Sequence, residues 1–310
     1  MIHNVNTQIE EVCGVELPIG ETLHIWKNRI TPVKAQRDNG KRISIVTGIH
    51  GDELEGQYIC YEVIRRIKEH PECLTGTVDI YPAMNPLGID SVTRGIPGFD
   101  LDMNRVFPGS EHGTMTEYIA HQIIQDLSGA DLCVDIHASN IYLTEIPQIR
   151  INKLHKEKLL PLAEQMNVDF IWIHGASTVL EATLAYSLNS TGTPTLVVEA
   201  GVGMRITKQY CRQLADGLFH TMQMLGIWQS ETEPVRKPYI AETDESVIFF
   251  NAPNHWQKLE KGQMVGQIVD SLRGEVLAEV VTPESGILFT IREYPVVDEG
   301  SLIGRLLVTA

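Results

Sequence analysis

The sequence predicts an α/β protein, with a mixed, largely parallel sheet flanked by helices and a small all-β region after it. Three observations carry this. Short apolar runs alternate with amphipathic stretches over most of the chain, the pattern of strands joined by crossover helices. Beyond about residue 239 the helical periodicity stops, and β-rich runs punctuated by Gly and Pro replace it. Between the two lies WQSETEPVRKP (228–238), a polar segment with two prolines that reads as a linker. The boundary is therefore set within it, giving domains over 1–232 and 233–310, and 310 residues is a comfortable length for two.

Each element follows from its own pattern. The first 40 residues, HIWKNRIT among them, add one or two strands. ISIVTG (43–48) reads as a buried strand, and residues 53–70 have helical periodicity with a charged face. VDIYPA (78–83) is strand-like, MTEYIAHQIIQDL (115–127) helical and DLCVDIH (131–137) a strand. EKLLPLAEQM (157–166) predicts a helix, FIWIH (170–174) and PTLVVEAG (194–201) strands. A long helix over 206–226 is ended by Gly226.

Composition narrows the function. The formal charge is -15, from 25 basic against 40 acidic residues. A nucleic-acid partner is not expected, because such binding needs a basic face to displace counterions from phosphates. An anionic ligand has to be met by a local arginine cluster. No apolar run approaches the roughly 20 residues that span a bilayer, so no membrane partner is expected. MIHNVNTQIEEV lacks the basic and apolar regions of a secretory signal. Five scattered cysteines with no CxxC spacing read as reduced thiols, and a cytoplasmic location follows as the expectation. Homo-oligomerisation is left open.

Three strands run into an ionisable residue. ISIVTG leads to His50 and Glu53, DLCVDI to His137, and TLVVEAG carries Glu199 near its end. In an open parallel sheet the carboxyl ends of the strands share one rim, where ligands bind. His50 and Glu53, three apart across a turn eased by Gly51, can converge on one cation, with His137 as a third ligand. Two His and one Glu with an open fourth position is a catalytic zinc arrangement. Either histidine alone is more simply read as hydrogen-bonded at a strand end. Glu199 is costly to bury unless something uses it. Its functional role is a general base, and its plain alternative a salt bridge to an arginine. The long glycine-rich segment 85–109 carries Arg94, Asn104 and Arg105. Arginine offers a planar fork for a carboxylate, although pairing with Asp100 or Asp102 would account for either arginine alone.

GIHGDELEG (48–56), DLDMNRVFPG (100–109), DIHAS (135–139) and VVEAG (197–201) occur in this order. Together they resemble the succinylglutamate desuccinylase and aspartoacylase family of the zinc carboxypeptidase superfamily. The resemblance implies that fold, and one Zn²⁺ per chain held by His50, Glu53 and His137. It implies Glu199 as catalytic base, Arg94 as the carbonyl-polarising arginine, and Asn104 with Arg105 as carboxylate binders. It adds Arg150, in IPQIR, as a further substrate-binding arginine. The tail resembles a lipoyl- or biotinyl-like barrel sandwich, with LEKGQMVGQIVD and VVTPESGILFTI as its two halves. SLRGEV stands where a carrier domain has its modified lysine, so the tail is expected to be an unmodified cap.

The resulting expectation is a zinc-dependent amidohydrolase that removes an acyl group from a small anionic N-acyl amino acid. A peptide-cleaving zinc carboxypeptidase would share the metal and the base. A metal-binding regulatory protein without catalysis would have no need of Glu199.

Overall fold

The computed structural model describes residues 6–17, 20–34, 37–98, 101–175, 181–242, 247–248, 257–270, 275–292 and 300–308. An antiparallel hairpin opens the chain, β1 (Asn6–Glu16) and β2 (Thr22–Thr31). β3 (Arg42–Thr47), α1 (Glu55–Glu69) and β4 (Thr77–Tyr81) make the first crossover unit. Next come α2 (Pro86–Ser91), α3 (Met115–Leu127), β5 (Leu132–Ser139), β6 (Leu143–Asn152), α4 (Lys156–Ala163) and β7 (Phe170–His174). α5 (Leu184–Ser190), β8 (Thr195–Val202) and α6 (Lys208–Met224) follow. The remaining described elements are all strands: β9 (Tyr239–Glu242), β10 (Val247–Ile248), β11 (Gln257–Leu259), β12 (Met264–Asp270), β13 (Glu275–Val281), β14 (Gly286–Arg292) and β15 (Gly304–Val308).

The predicted strands and helices are present, with small differences at their ends. Gly226, at φ 78°, sits just past α6 and takes the left-handed conformation that closes a helix. The 85–109 segment is less irregular than its glycines imply. Asn85 accepts a hydrogen bond from Gly88 N and caps α2, with Pro86 at its first position. Thr114 and Glu117 form a reciprocal capping box that starts α3.

The main sheet runs in the order β1-β2-β4-β3-β5-β8-β6 and continues through β14 and β15 to β10. β4, β3, β5 and β8 run parallel to one another, whereas β2 is antiparallel to β4 and β6 antiparallel to β8. The far side of β6 is shared: residues 143–145 pair with β14, and 148–152 with β7, which β9 extends. Strands after the polar 228–238 segment therefore continue the same sheet. Among the described residues β12 and β13 pair antiparallel with each other alone; residues 271–274, part of the SLRGEV set against the modified lysine of a carrier domain, lie outside the described residues.

Helices cover both faces. Ile43 and Ile45 of β3 pack with Ile59 and Val63 of α1 and with Leu214 and Leu218 of α6. Val46 belongs to the opposite layer, with Ile119 and Ile123 of α3 and Leu184 and Leu188 of α5. Strands buried on both sides read as continuous apolar runs, which is why ISIVTG was recognisable. The five cysteines are free thiols, four of them buried.

Gly51 has a different role from the turn that the sequence implies. A Cβ there would lie 1.9 Å from the carbonyl carbon of Gly88, so α2 packs directly on the turn backbone. Gly51→Ala should destabilise the fold by about 1–3 kcal/mol, the scale of overpacking. Denaturant unfolding checks this, and an unchanged midpoint would mean that α2 yields freely.

Candidate active site

Period-two alternation along the strands builds the site. Val134 and Ile136 of β5 enter the core beneath α1 and α6, so Asp135 and His137 face the other side. Leu196 and Val198 of β8 do the same, which turns out Glu199. On β6, Ile149 and Ile151 are core and Arg150 faces out. His137 and Glu199 are direct register partners on adjacent parallel strands. All four outward residues line one cavity of about 410 Å³, within the range of small-molecule sites.

His50 and Glu53 enter from the turn between β3 and α1. Glu53 is buried between two imidazoles: its Oε1 is 2.7 Å from His50 Nδ1, and its Oε2 2.9 Å from His137 Nδ1. Oε2 also accepts a hydrogen bond from Ala138 N at 3.0 Å. One donor atom from each of His50, Glu53 and His137 lies within 4.8 Å of the others. His50 Nδ1 is buried and makes no hydrogen bond despite its short distance to Glu53. Such an orphaned nitrogen, facing a carboxylate and a second imidazole, fits ligation of a shared cation. Two imidazoles and a carboxylate suit Zn²⁺ among biological metals.

Behind each imidazole stands another carboxylate. Asp102 Oδ1 is 2.9 Å from His50 Nε2, and Asp135 Oδ2 is 3.2 Å from His137 Nε2. The hydrogen bond to Asp102 leaves Nδ1 of His50 for the centre and makes that ring a better ligand, while Asp135, whose oxygens make no hydrogen bond among the described residues, offers His137 its charge. Neither acid was singled out as functional from the sequence. The D-x-H spacing of 135 and 137 was the available signal, since residues two apart share a strand face. Asp102 gave none beyond its place beside Asn104.

The charges follow this geometry. Burial alone would raise the pKa of Glu53, but His50 and His137 hold it well below the usual carboxylate range. Burial likewise opposes charge on His137, yet Asp135 and Glu53 raise its pKa well above the ordinary value. Glu199 shifts the other way. Burial, opposed by Arg150 and reinforced by Glu145, pushes it up to about 7.

The 85–109 segment reaches the same cavity. Arg94 Nη1 is 2.9 Å from Glu53 Oε1, and Arg94 Nη2 is 3.4 Å from Asp102 Oδ2. Asn104 is buried; its Oδ1 accepts from Leu184 N at 2.9 Å, and its Nδ2 is 3.5 Å from His137 Nε2. Arg105 donates to the Asn104 carbonyl at 2.8 Å and lies 4.0 Å from Asp102. Asp102 is thus the common partner of this loop, while Asp100 lies outside the described residues. Arg150 lies between Glu145, at 2.8 Å, and Glu199, at 3.0 Å. Glu199 thus has an arginine partner, and it stands beside the His50, Glu53 and His137 group.

The catalytic-domain profile of the succinylglutamate desuccinylase/aspartoacylase family matches residues 39–225. The chain belongs to this family. Its matched region contains His50, Glu53, Arg94, Asn104, Arg105, His137, Arg150 and Glu199. The N-alpha-acetyl-L-2,4-diaminobutyric acid deacetylase of Halomonas elongata is 31% identical over 135 residues. That match spans 43% of this chain and only 39% of the curated relative's length. The product-bound ectoine utilization protein EutE (DoeB) of Ruegeria pomeroyi is 20% identical, with a TM-score of 0.80 over 98% of this chain and 95% of its own. A succinylglutamate desuccinylase/aspartoacylase from Rhodobacter sphaeroides has the same identity and TM-score over 99% and 97%. At that identity the two structures establish the family fold, here including its strand-rich C-terminal part. Among the described residues, no helix is long and apolar enough to cross a membrane.

The carboxylates behind the imidazoles provide a test. Asp102→Asn should weaken Zn²⁺ binding by about 10–100-fold, and His137→Ala should lose most of the metal while the chain stays folded. Competition with a chelator measures both. Full occupancy of the His137 variant would remove this residue from the metal group.

Proposed function

We propose that the chain is a zinc-dependent amidohydrolase that removes an acyl group from a small N-acyl amino acid. The observation that carries this is the placement of Glu199 beside His137, in a cavity where His50, Glu53 and His137 share a centre. Three protein ligands would leave a coordination position open, as catalytic sites do. When bound, the cation would acidify a water and polarise the acyl carbonyl. Family membership supports the reaction class, and the deacetylase activity named for the Halomonas relative supports an acyl-amino-acid substrate.

The chain's own residues would act as follows. Glu199 takes a proton from the attacking water and later delivers it to the leaving amine. A base needs a pKa near the working pH, and burial with a neighbouring Glu145 gives Glu199 that value. Arg94 reaches the edge of the site and would face the oxyanion that develops on the carbonyl. Asn104 and Arg105 would hold a substrate carboxylate, with the guanidinium as a two-pronged donor. Arg150 borders the same space, so a second polar group of the substrate would meet it after displacing one of its present partners. Residues 233–310 would serve as an unmodified wall that limits the cavity to small substrates. The free thiols accord with a reducing cytoplasm.

Incubating the zinc-loaded protein with N-acetyl, N-formyl and N-succinyl amino acids tests the class. Faster cleavage of a tripeptide than of any of these would move the reading to a carboxypeptidase. Glu199→Gln should keep its metal while turnover falls by roughly 100-fold or more, the scale of a general base. Loss of metal with activity would make Glu199 a ligand. In the parent enzyme kcat/KM should rise with pH as Glu199 loses its proton, with the acid limb at or below about pH 7 because a bound cation favours the carboxylate. That limb should vanish in Glu199→Gln.

Arg105→Lys keeps the charge but loses the fork. It should cost about 1.5–3 kcal/mol in transition-state binding, mostly on substrates with a free carboxylate. The comparison is kcat/KM for an acid and its matched amide, and equal losses on the two would mean that Arg105 does not read the carboxylate.

A further inference from the structure

One wall of the cavity comes from the C-terminal strands. Arg305 of β15 lines it together with Glu145, Arg150 and Glu199. These four side chains form a line of alternating charge. Arg305 Nη1 donates to Glu145 Oε1 at 2.5 Å. Arg150 Nη2 donates to both Glu145 oxygens, at 2.9 and 2.8 Å, and Arg150 Nη1 lies 3.0 Å from Glu199 Oε1. Thr290 Oγ1 of β14 adds a bond to Glu145 Oε1 at 3.3 Å.

Main-chain pairing delivers this arrangement. Glu145 on β6 pairs with Thr290 on β14, and Thr290 pairs with Arg305 on β15, so the three residues form one row across the sheet. Glu145 and Arg150 are five apart, which on a regular strand places them on opposite faces. The pairing of β6 with β8 shifts register between Glu145 and Gln148, and such an irregularity re-aims a side chain. Glu145 is only 1% exposed, so its charge has to be met by protein groups.

The balance of charges gives Arg305 its role. Two guanidinium groups face two carboxylates. With Arg305 holding Glu145 from the far side, Arg150 can divide its nitrogens between Glu145 and Glu199. Without Arg305, Glu145 would keep a single cationic partner, and Arg150 would be drawn toward it and away from Glu199. We propose that Arg305 is a positioning residue: through Glu145 and Arg150 it fixes Glu199 in the geometry needed for proton transfer, so the C-terminal strands belong to the catalytic apparatus.

The inference rests on Glu199 being the base, and the test separates the two. It uses the zinc-loaded full-length enzyme and the N-acyl amino acid it cleaves fastest. Arg305→Met should lower kcat about 10-fold, the scale seen for groups that orient catalytic side chains, with KM within about twofold and metal content unchanged. Arg305→Lys should recover most of the rate, since an ammonium can still meet one Glu145 oxygen. In a Glu199→Gln background, Arg305→Met should cost less than about twofold, because two residues acting through one group are not additive. An unchanged kcat in Arg305→Met would overturn the proposal. So would a raised KM at constant kcat, which would mean direct contact with substrate, or an equal loss in both backgrounds. Should the methionine variant fail to fold, Arg305→Gln is read by the same criteria. Full activity in Glu199→Gln alone would instead overturn the assignment of the base.

Discussion

Glu53 is buried with both of its oxygens engaged, one toward His50 and the other toward His137 and the amide of Ala138. Removing one partner of a buried ionic group typically costs about 3–5 kcal/mol, because the remaining charge is stranded. The surrounding structure therefore has to deliver both imidazoles. The β3–α1 turn supplies His50 three residues before Glu53, and β5 supplies His137 from the adjacent strand. Asp102 then fixes the His50 ring from behind, Asp135 stands 3.2 Å behind that of His137, and Arg94 closes on Glu53 from the loop. Two imidazoles lower the pKa of the carboxylate and the flanking carboxylates raise those of the imidazoles, so protons on these rings are ones a metal ion can displace.

The direction of β6 decides what else can reach that centre. A parallel strand beside β8 would begin far from the rim where His137 and Glu199 stand. Running antiparallel, β6 begins near that rim, with Glu145 opposite Gly201, and carries Gln148 past Glu199. Its opening residues also offer a free edge, which β14 takes. The reversal thus brings the C-terminal strands beside the cavity, and their residues Thr290 and Arg305 complete the surroundings of Glu145. In this family member the strand-rich tail is joined to the site through the sheet itself.

The central strands were legible because burial on both faces makes them continuous apolar runs, and α1, α3 and α6 because their stripes are helical. His50, Glu53, His137 and Glu199 were legible because each ends or follows such a strand, and a parallel sheet collects those ends. β6 was not. LTEIPQIRIN contains a proline and places Glu145, Gln148 and Arg150 within the strand, so it has neither an apolar run nor clean alternation. Those polar side chains are tolerated because they face a cavity and one another. Arg305 was equally invisible, since its significance depends on two strand pairings between residues 145 and 305 that no local pattern encodes. The short helix α5 is illegible for a simpler reason: seven residues are too few for a helical stripe to stand out.

The same pairing pattern distinguishes the arginines of the cavity. In a chain of charge -15, an anion is repelled at long range and has to be captured at contact distance. Arg94 is committed to Glu53 at 2.9 Å, Arg150 to Glu145 and Glu199 at 2.8 and 3.0 Å, and Arg305 to Glu145 at 2.5 Å. Arg105 differs: its carboxylate contact, with Asp102, is at 4.0 Å, and its short bond is to a backbone carbonyl. Exposure separates it from Arg150 and Arg305, at 39% against 26% and 21%, but not from Arg94, at 41%, which its ion pair with Glu53 sets apart. A substrate carboxylate would have to break ion pairs to engage the other three, whereas Arg105 can turn to it at the cost of one neutral hydrogen bond. Under the proposed reaction, the ordering of these contacts, more than the number of arginines, would make Arg105 the first anchor for a substrate acid, while Arg94 and Arg150 would meet substrate only by giving up a present partner.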